Sequence, residues 1–186
     1  MDEPTRRRIL DYVKPLAVGL DGVTNYGDVE RALAAAEAIA GSVPDADGDL
    51  LFLLAVFSGQ EKWVSRMGHG SRTQIYLESL GLPRRTIAAL FRGLPRFETS
   101  PQTVEEEIVH DAVLLDALGA YGIARSLADA YRERLDIPEM AAAIEEVAAR
   151  PLRTEAGRKL AEPRRQAMRA FAARLLAEHV EFGPLT

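Results

Sequence analysis

Val104, Ile108, Asp111, Leu115 and Leu118 recur at the spacing that puts side chains on one stripe of a helix. Four of them are apolar and one is a carboxylic acid, so the pattern predicts an aspartate held among core side chains. An ionised carboxylate in such surroundings needs a cation, a metal ion or hydrogen-bond donors, and those same partners tune carboxyl groups for acid–base chemistry. The plain alternative is that Asp111 caps a neighbouring helix or pairs with an arginine such as Arg125, and Asp116 reads first as a salt-bridge residue. His110 stands about 100° around the same helix. It is either a hydrogen-bonded core imidazole or a proton-transfer group, and His69 is a second candidate for that role. Arg72, Arg96 and Arg125 could clamp a ligand carboxylate or phosphate, because guanidinium groups grip such anions with two parallel hydrogen bonds; ordinary surface pairing is their other reading.

These residues must be positioned by helices. The helix 103–119 carries Glu105, Glu106 and Glu107 in its first turn and is then apolar around its circumference, as an interior helix is. The run Leu50 to Phe57, preceded by Asp45, Asp47 and Asp49, predicts a buried helix stopping at Ser58-Gly59. Further helices are expected from Asp28 to Ala40, over 75–80 up to Gly81, from Pro83 to Leu94, over 121–132, over 137–150 and over 154–182, with Arg6, Arg7 and Arg8 on the solvated face of a first helix. Sustained alternation of apolar and polar residues occurs nowhere, so essentially no sheet is expected. The fold class is all-α, and 186 residues suit a single domain.

Composition narrows the classes of function. With 47% hydrophobic and 27% charged residues the chain groups with soluble globular proteins. A net charge of −5 gives no chain-wide positive field, which argues against nucleic acid as a partner. The longest apolar run is far short of the roughly 20 residues that span a bilayer. The absence of cysteine removes thiolate chemistry and disulfides and fits a reducing cytoplasm. No secretory leader is read at Met1-Asp2-Glu3-Pro4, so the expected location is cytoplasmic and no membrane partner is expected.

The stretch from Glu107 to Arg125, EIVHDAVLLDALGAYGIAR, resembles the late signature of small bacterial HD-domain phosphohydrolases, I-x-x-D-A-D-x-L-D-A-L-G-A-x-G-I-A-R. The stretch Thr154 to Glu162, TEAGRKLAE, is similar to the family's T-E-T-G-x-x-L-A-E before its last helix. The resemblance spans roughly Thr24 to His179. It implies a single compact helical bundle of the HD type over residues 1–186, with 24–179 as its core and 1–23 as an N-terminal helical extension.

The family's metal ligands are an early histidine, a His-Asp dipeptide ending the next apolar helix, and the late aspartate. In this register the resemblance places Asp28, Ser58-Gly59 and Asp111 there, so one ligand is unchanged, and Pro95 stands where the subfamily often has a further histidine. The dipeptide His110-Asp111 lies in the late signature and is not the defining motif. Lys62 aligns with a lysine that often follows the family dipeptide and marks a remnant basic wall. Serine and glycine are poor divalent ligands, so no cofactor is expected; the alternative is a divalent metal held by Asp28, Asp111 and a histidine.

The resulting expectation is an HD-like protein of bacterial metabolism that has lost most metal ligands and works as a metal-independent enzyme or binding protein for a small molecule. Its expected catalytic set is Asp111, Asp28, His69 and His110, and its expected ligand contacts are Ser58, Lys62, Arg72, Arg96, Asp116 and Arg125. The alternatives are a divalent-metal phosphohydrolase with relocated ligands, acting on a nucleotide or small phosphoester, and a non-catalytic interaction module. Self-association is left open.

Overall fold

Local capping chemistry sets where the helices begin. The structure, a computed structural model, describes residues 1–17, 26–60 and 69–181, without the side chains of Gln60, His69 and Glu181. Among the described residues there are nine α-helices and no strand: α1 (Glu3–Val13), α2 (Tyr26–Ala40), α3 (Gly48–Phe57), α4 (His69–Ser79), α5 (Arg84–Gly93), α6 (Val104–Asp116), α7 (Gly119–Glu133), α8 (Ile137–Ala149) and α9 (Glu155–Glu181). Short 3-10 turns follow α1 at Lys14–Leu16 and α3 at Ser58–Gln60. Asp47 caps α3 by accepting from the N–H groups of Asp49 and Leu50, at 3.0 and 3.1 Å. Asp136 and Glu139 form a reciprocal capping box at the start of α8. The all-helical class is therefore the one the sequence pattern predicts.

Some boundaries differ from expectation. Helix α4 starts at His69 rather than near Ile75, because its first turns are polar and carry no apolar period to read. Helix α2 starts at Tyr26, two residues before Asp28. The chain breaks between α6 and α7 at Ala117-Leu118, short of Gly119, whose φ of +75° suits glycine.

The chain divides into two compact units, Met1–Val113 and Leu114–Thr186. In the first, every residue from Leu50 to Phe57 is buried, because α1, α2 and α5 pack around α3. Arg6 of α1 lies over the Phe52 ring, 4.9 Å from its centroid, which adds cation–π attraction to the packing of α1 on α3. Gly93 lets α5 come close: a Cβ there would stand 2.9 Å from Leu54 Cδ2 and 3.2 Å from Glu106 Oε1.

In the second unit, α7, α8 and α9 pack against one another in pairs, with Ile144, Ala148, Ala161, Met168 and Ala172 buried between them. Arg164 donates to the Leu115 carbonyl at 2.7 Å, satisfying one of the acceptors that the end of α6 leaves open. Among the described residues, no helix is long and apolar enough to cross a membrane.

Candidate functional site

Helix α6 places the acid that the sequence singled out. Thr103 Oγ1 accepts from the Glu106 N–H at 3.3 Å at its start. Ile108, Val109 and Ala112 are fully buried around it, and Asp111 has 0% of its surface exposed. The Asp111 carboxylate lies 2.8 Å from His110 Nδ1, and His110 is itself only 8% exposed. Two residues adjacent on a helix thus meet in the interior, although their Cα–Cβ bonds diverge by about 100°. His110 makes no other hydrogen bond among the described residues, so its Nε2 has no partner there.

A carboxylate accepting from Nδ1 holds the imidazole proton on that nitrogen and leaves the Nε2 lone pair as the basic atom. Held this way, the pair has the orientation of an acid–imidazole dyad, in which the carboxylate also stabilises the imidazolium that forms when Nε2 takes up a proton.

The other candidates are distributed elsewhere. Asp28, in the first turn of α2, is ion-paired with Arg31 one turn on. Ser58 is buried and donates from Oγ to the Ala55 carbonyl at 2.8 Å, continuing the turn that ends α3. Arg72 is exposed on α4. In the second unit, Arg125 reaches Asp116 at 3.3 Å, the salt bridge that the sequence allowed for Asp116. The side chain of His69 and the whole of Lys62 lie outside the described residues.

Arg96, expected as an anion clamp, has all three guanidinium nitrogens engaged within the first unit. Its Nε and one terminal nitrogen donate to the two oxygens of Glu106, at 2.9 and 2.6 Å, and the other donates to Gln102 at 2.7 Å. Glu106 also accepts from the Gln102 N–H at 2.7 Å, and its side chain is 3% exposed. Burial pushes the Glu106 carboxyl up, but the Arg96 guanidinium and the Gln102 and Thr103 contacts outweigh it and hold the carboxyl below its ordinary range. The hydrogen bond to Glu106 raises Arg96 further. Glu105 is buried as well and accepts from the Asp47 N–H at 2.9 Å, tying α6 to the cap of α3. Sequence reasoning read these glutamates as complements to the helix dipole. The available signal was an arginine ten residues upstream across a short loop, which shows charge complementarity but not which partner the rotamer selects.

Among the described residues, no three His, Asp or Glu side chains gather closely enough to hold a metal ion. Open clefts mark the described surface. One of about 720 Å³ lies between α4 and α5 in the first unit, and one of about 450 Å³ at the end of α7 in the second. Neither is lined by any of the candidate residues.

No protein-family model and no curated protein matches the sequence. Solved structures match it over nearly its whole length. An HD-superfamily hydrolase from Bacillus thuringiensis aligns with a TM-score of 0.75 at 19% identity, covering 95% of this chain and 97% of its own. A predicted HD-superfamily hydrolase from an uncultured Thermotogales bacterium aligns at 0.63 and 25% identity, covering 92% and 91%. Bacillus subtilis YpgQ, solved in complex with ADP, aligns at 0.72 and 19% identity, covering 94% and 95%.

Proposed function

Taking the HD-superfamily hydrolase fold as premise, we propose that the protein is a small-molecule enzyme or binding protein in which the buried His110–Asp111 pair handles protons at the ligand. The observation that carries this reading is the 2.8 Å contact between His110 Nδ1 and a fully buried Asp111, with Nε2 left unpartnered among the described residues. Asp111 orients the imidazole, and Nε2 accepts or returns the proton.

The fold family implies a divalent metal, and the donor set here fits one poorly. Of the positions that the family resemblance assigns to ligands, Asp28 is paired with Arg31, the Ser58 hydroxyl is spent on a backbone carbonyl, and Gly59 has no side chain. That disagreement supports proton transfer by side chains rather than by metal-bound hydroxide. The partner class is a small molecule in a bacterial cytoplasm, and the ADP held by the Bacillus subtilis neighbour makes a nucleoside diphosphate the first ligand to try.

The test is a thermal-shift screen of nucleotides and small phosphoesters, followed by kinetics on any compound that is turned over. His110→Gln is expected to lower kcat by at least about a hundredfold while leaving binding within a few-fold. Asp111→Asn is expected to remove the preference for the Nδ1–H tautomer of His110 seen by 15N NMR. Full turnover by both variants overturns the proposal. So does a stoichiometric divalent ion in protein purified without chelator, together with metal-stimulated phosphatase activity, which is the outcome a relocated-ligand phosphohydrolase predicts.

A further inference from the structure

One stretch of the second unit concentrates positive charge in a protein whose net charge is −5. Between positions 150 and 169 the chain carries seven basic residues, six of them arginine, against Glu155 and Glu162, and it has no aromatic side chain there. The loop before α9 and the first half of α9 form one surface. Arg158 donates to the carbonyls of Leu152 and Arg153, at 3.2 and 2.9 Å, and Arg165 donates to the Arg150 carbonyl. These bonds bring Arg150 and Arg153 of the loop beside Arg158 and Arg165 of the helix. Arg158, Arg165 and Arg169 lie within about 40° of one another around α9 and extend over about 16 Å of its length.

Two arginines of this surface carry charge that no acid pairs among the described residues. Arg158 and Arg165 spend their hydrogen bonds on neutral carbonyls, and Arg150 and Arg169 have no side-chain hydrogen bond or ion pair among the described residues. The Nε of Arg165 is buried without an acceptor. Of the two acids between positions 150 and 169, Glu155 pairs with Lys159 at 2.6 Å and also interacts with Arg158, and Glu162, on the same face, accepts from the neutral Gln166 amide at 3.0 Å and keeps its charge.

We propose that this surface is a docking site for the phosphate backbone of duplex nucleic acid, independent of the His110–Asp111 pair. Arginine forks match phosphate geometry, and a row of them fits a repeating anion better than a single one. With no aromatic side chain to stack on a base, recognition is by phosphate alone, and a duplex presents the densest phosphate array. The chain-wide charge argues against attraction at long range, but salt limits that repulsion to about 10 Å, so the local surface governs contact.

The test is fluorescence anisotropy of a short labelled DNA duplex with the full chain at about 50 mM salt, repeated as salt is raised. Four phosphate contacts, from Arg150, Arg158, Arg165 and Arg169, predict a slope of log K against log salt of about −3.5. The double variant Arg150→Gln, Arg169→Gln alters two exposed side chains without internal bonds and is expected to weaken binding at least about tenfold and to flatten the slope by about two. Arg84→Gln, Arg92→Gln, on the first unit, is expected to leave both unchanged. The proposal is overturned by no binding at low salt, by binding indifferent to the first double variant, or by vesicles of anionic lipid binding more tightly than the duplex.

Discussion

Gly122→Ala is expected to unfold the second unit at temperatures where the unaltered protein is intact. A Cβ at position 122 would stand 2.0 Å from the Ala117 carbonyl oxygen and 2.6 Å from its carbon, and 3.4 Å from the Met168 methyl. The first two are backbone atoms at the break between α6 and α7, so relief requires moving a helix start rather than turning a side chain. Overpacking against a rigid element lies at the severe end of single-residue effects, about 4 kcal/mol or more. For a chain of this size that corresponds to a fall in melting temperature of roughly 10 °C. Gly48→Ala is the matching control, since a Cβ there meets nothing within 4 Å and the residue sits in the first turn of α3. It is expected to be neutral or to stabilise by up to about 1 kcal/mol. Equal melting temperatures for the two variants by circular dichroism would refute the close approach at Ala117.

Arg96→Ala is expected to have the next largest effect and to change the pH dependence. It leaves Glu106, with 3% of its side chain exposed, as a buried carboxylate without its cation, a loss typically of about 3–5 kcal/mol. In the unaltered protein the folded-state pKa of Glu106 lies below its ordinary value of 4.5. The stability linked to that pair is therefore fully present above about pH 4.5 and is lost as pH falls through the lower folded value. Without Arg96, burial dominates and favours the neutral acid, so the deficit of the variant is expected to shrink as pH is lowered toward 4 and below. Urea titrations of both proteins between neutral pH and pH 4 measure this. A deficit that stays constant across that range would show that the arginine acts through packing alone.

The two predictions mark different depths of legibility. The Ala-Leu-Gly-Ala-Tyr-Gly stretch was recognisable as part of a family signature, but nothing in its letters says that Gly122 faces a carbonyl while Gly119 needs a positive φ. Arg96 carried a plausible role as an anion clamp in the sequence. The fold instead directs it to Glu106, because a buried carboxylate must find a cation and this one stands across a short loop.

What the sequence determined by itself is what short-range physics encodes. The acids ahead of Leu50, the all-round apolar run of α3 and the apolar stripe through Asp111 each act within a few turns of chain, so they predict helices and a buried acid without reference to any distant residue. The tertiary structure alone decided the partners. The sequence placed His110 about 100° around the helix from Asp111, and only the fold shows that the two buried side chains meet at 2.8 Å. Likewise, the letters show six arginines between positions 150 and 169, but only the fold brings Arg150 and Arg153 of the loop beside Arg158 and Arg165 of the helix, because those bonds depend on how the chain turns before α9.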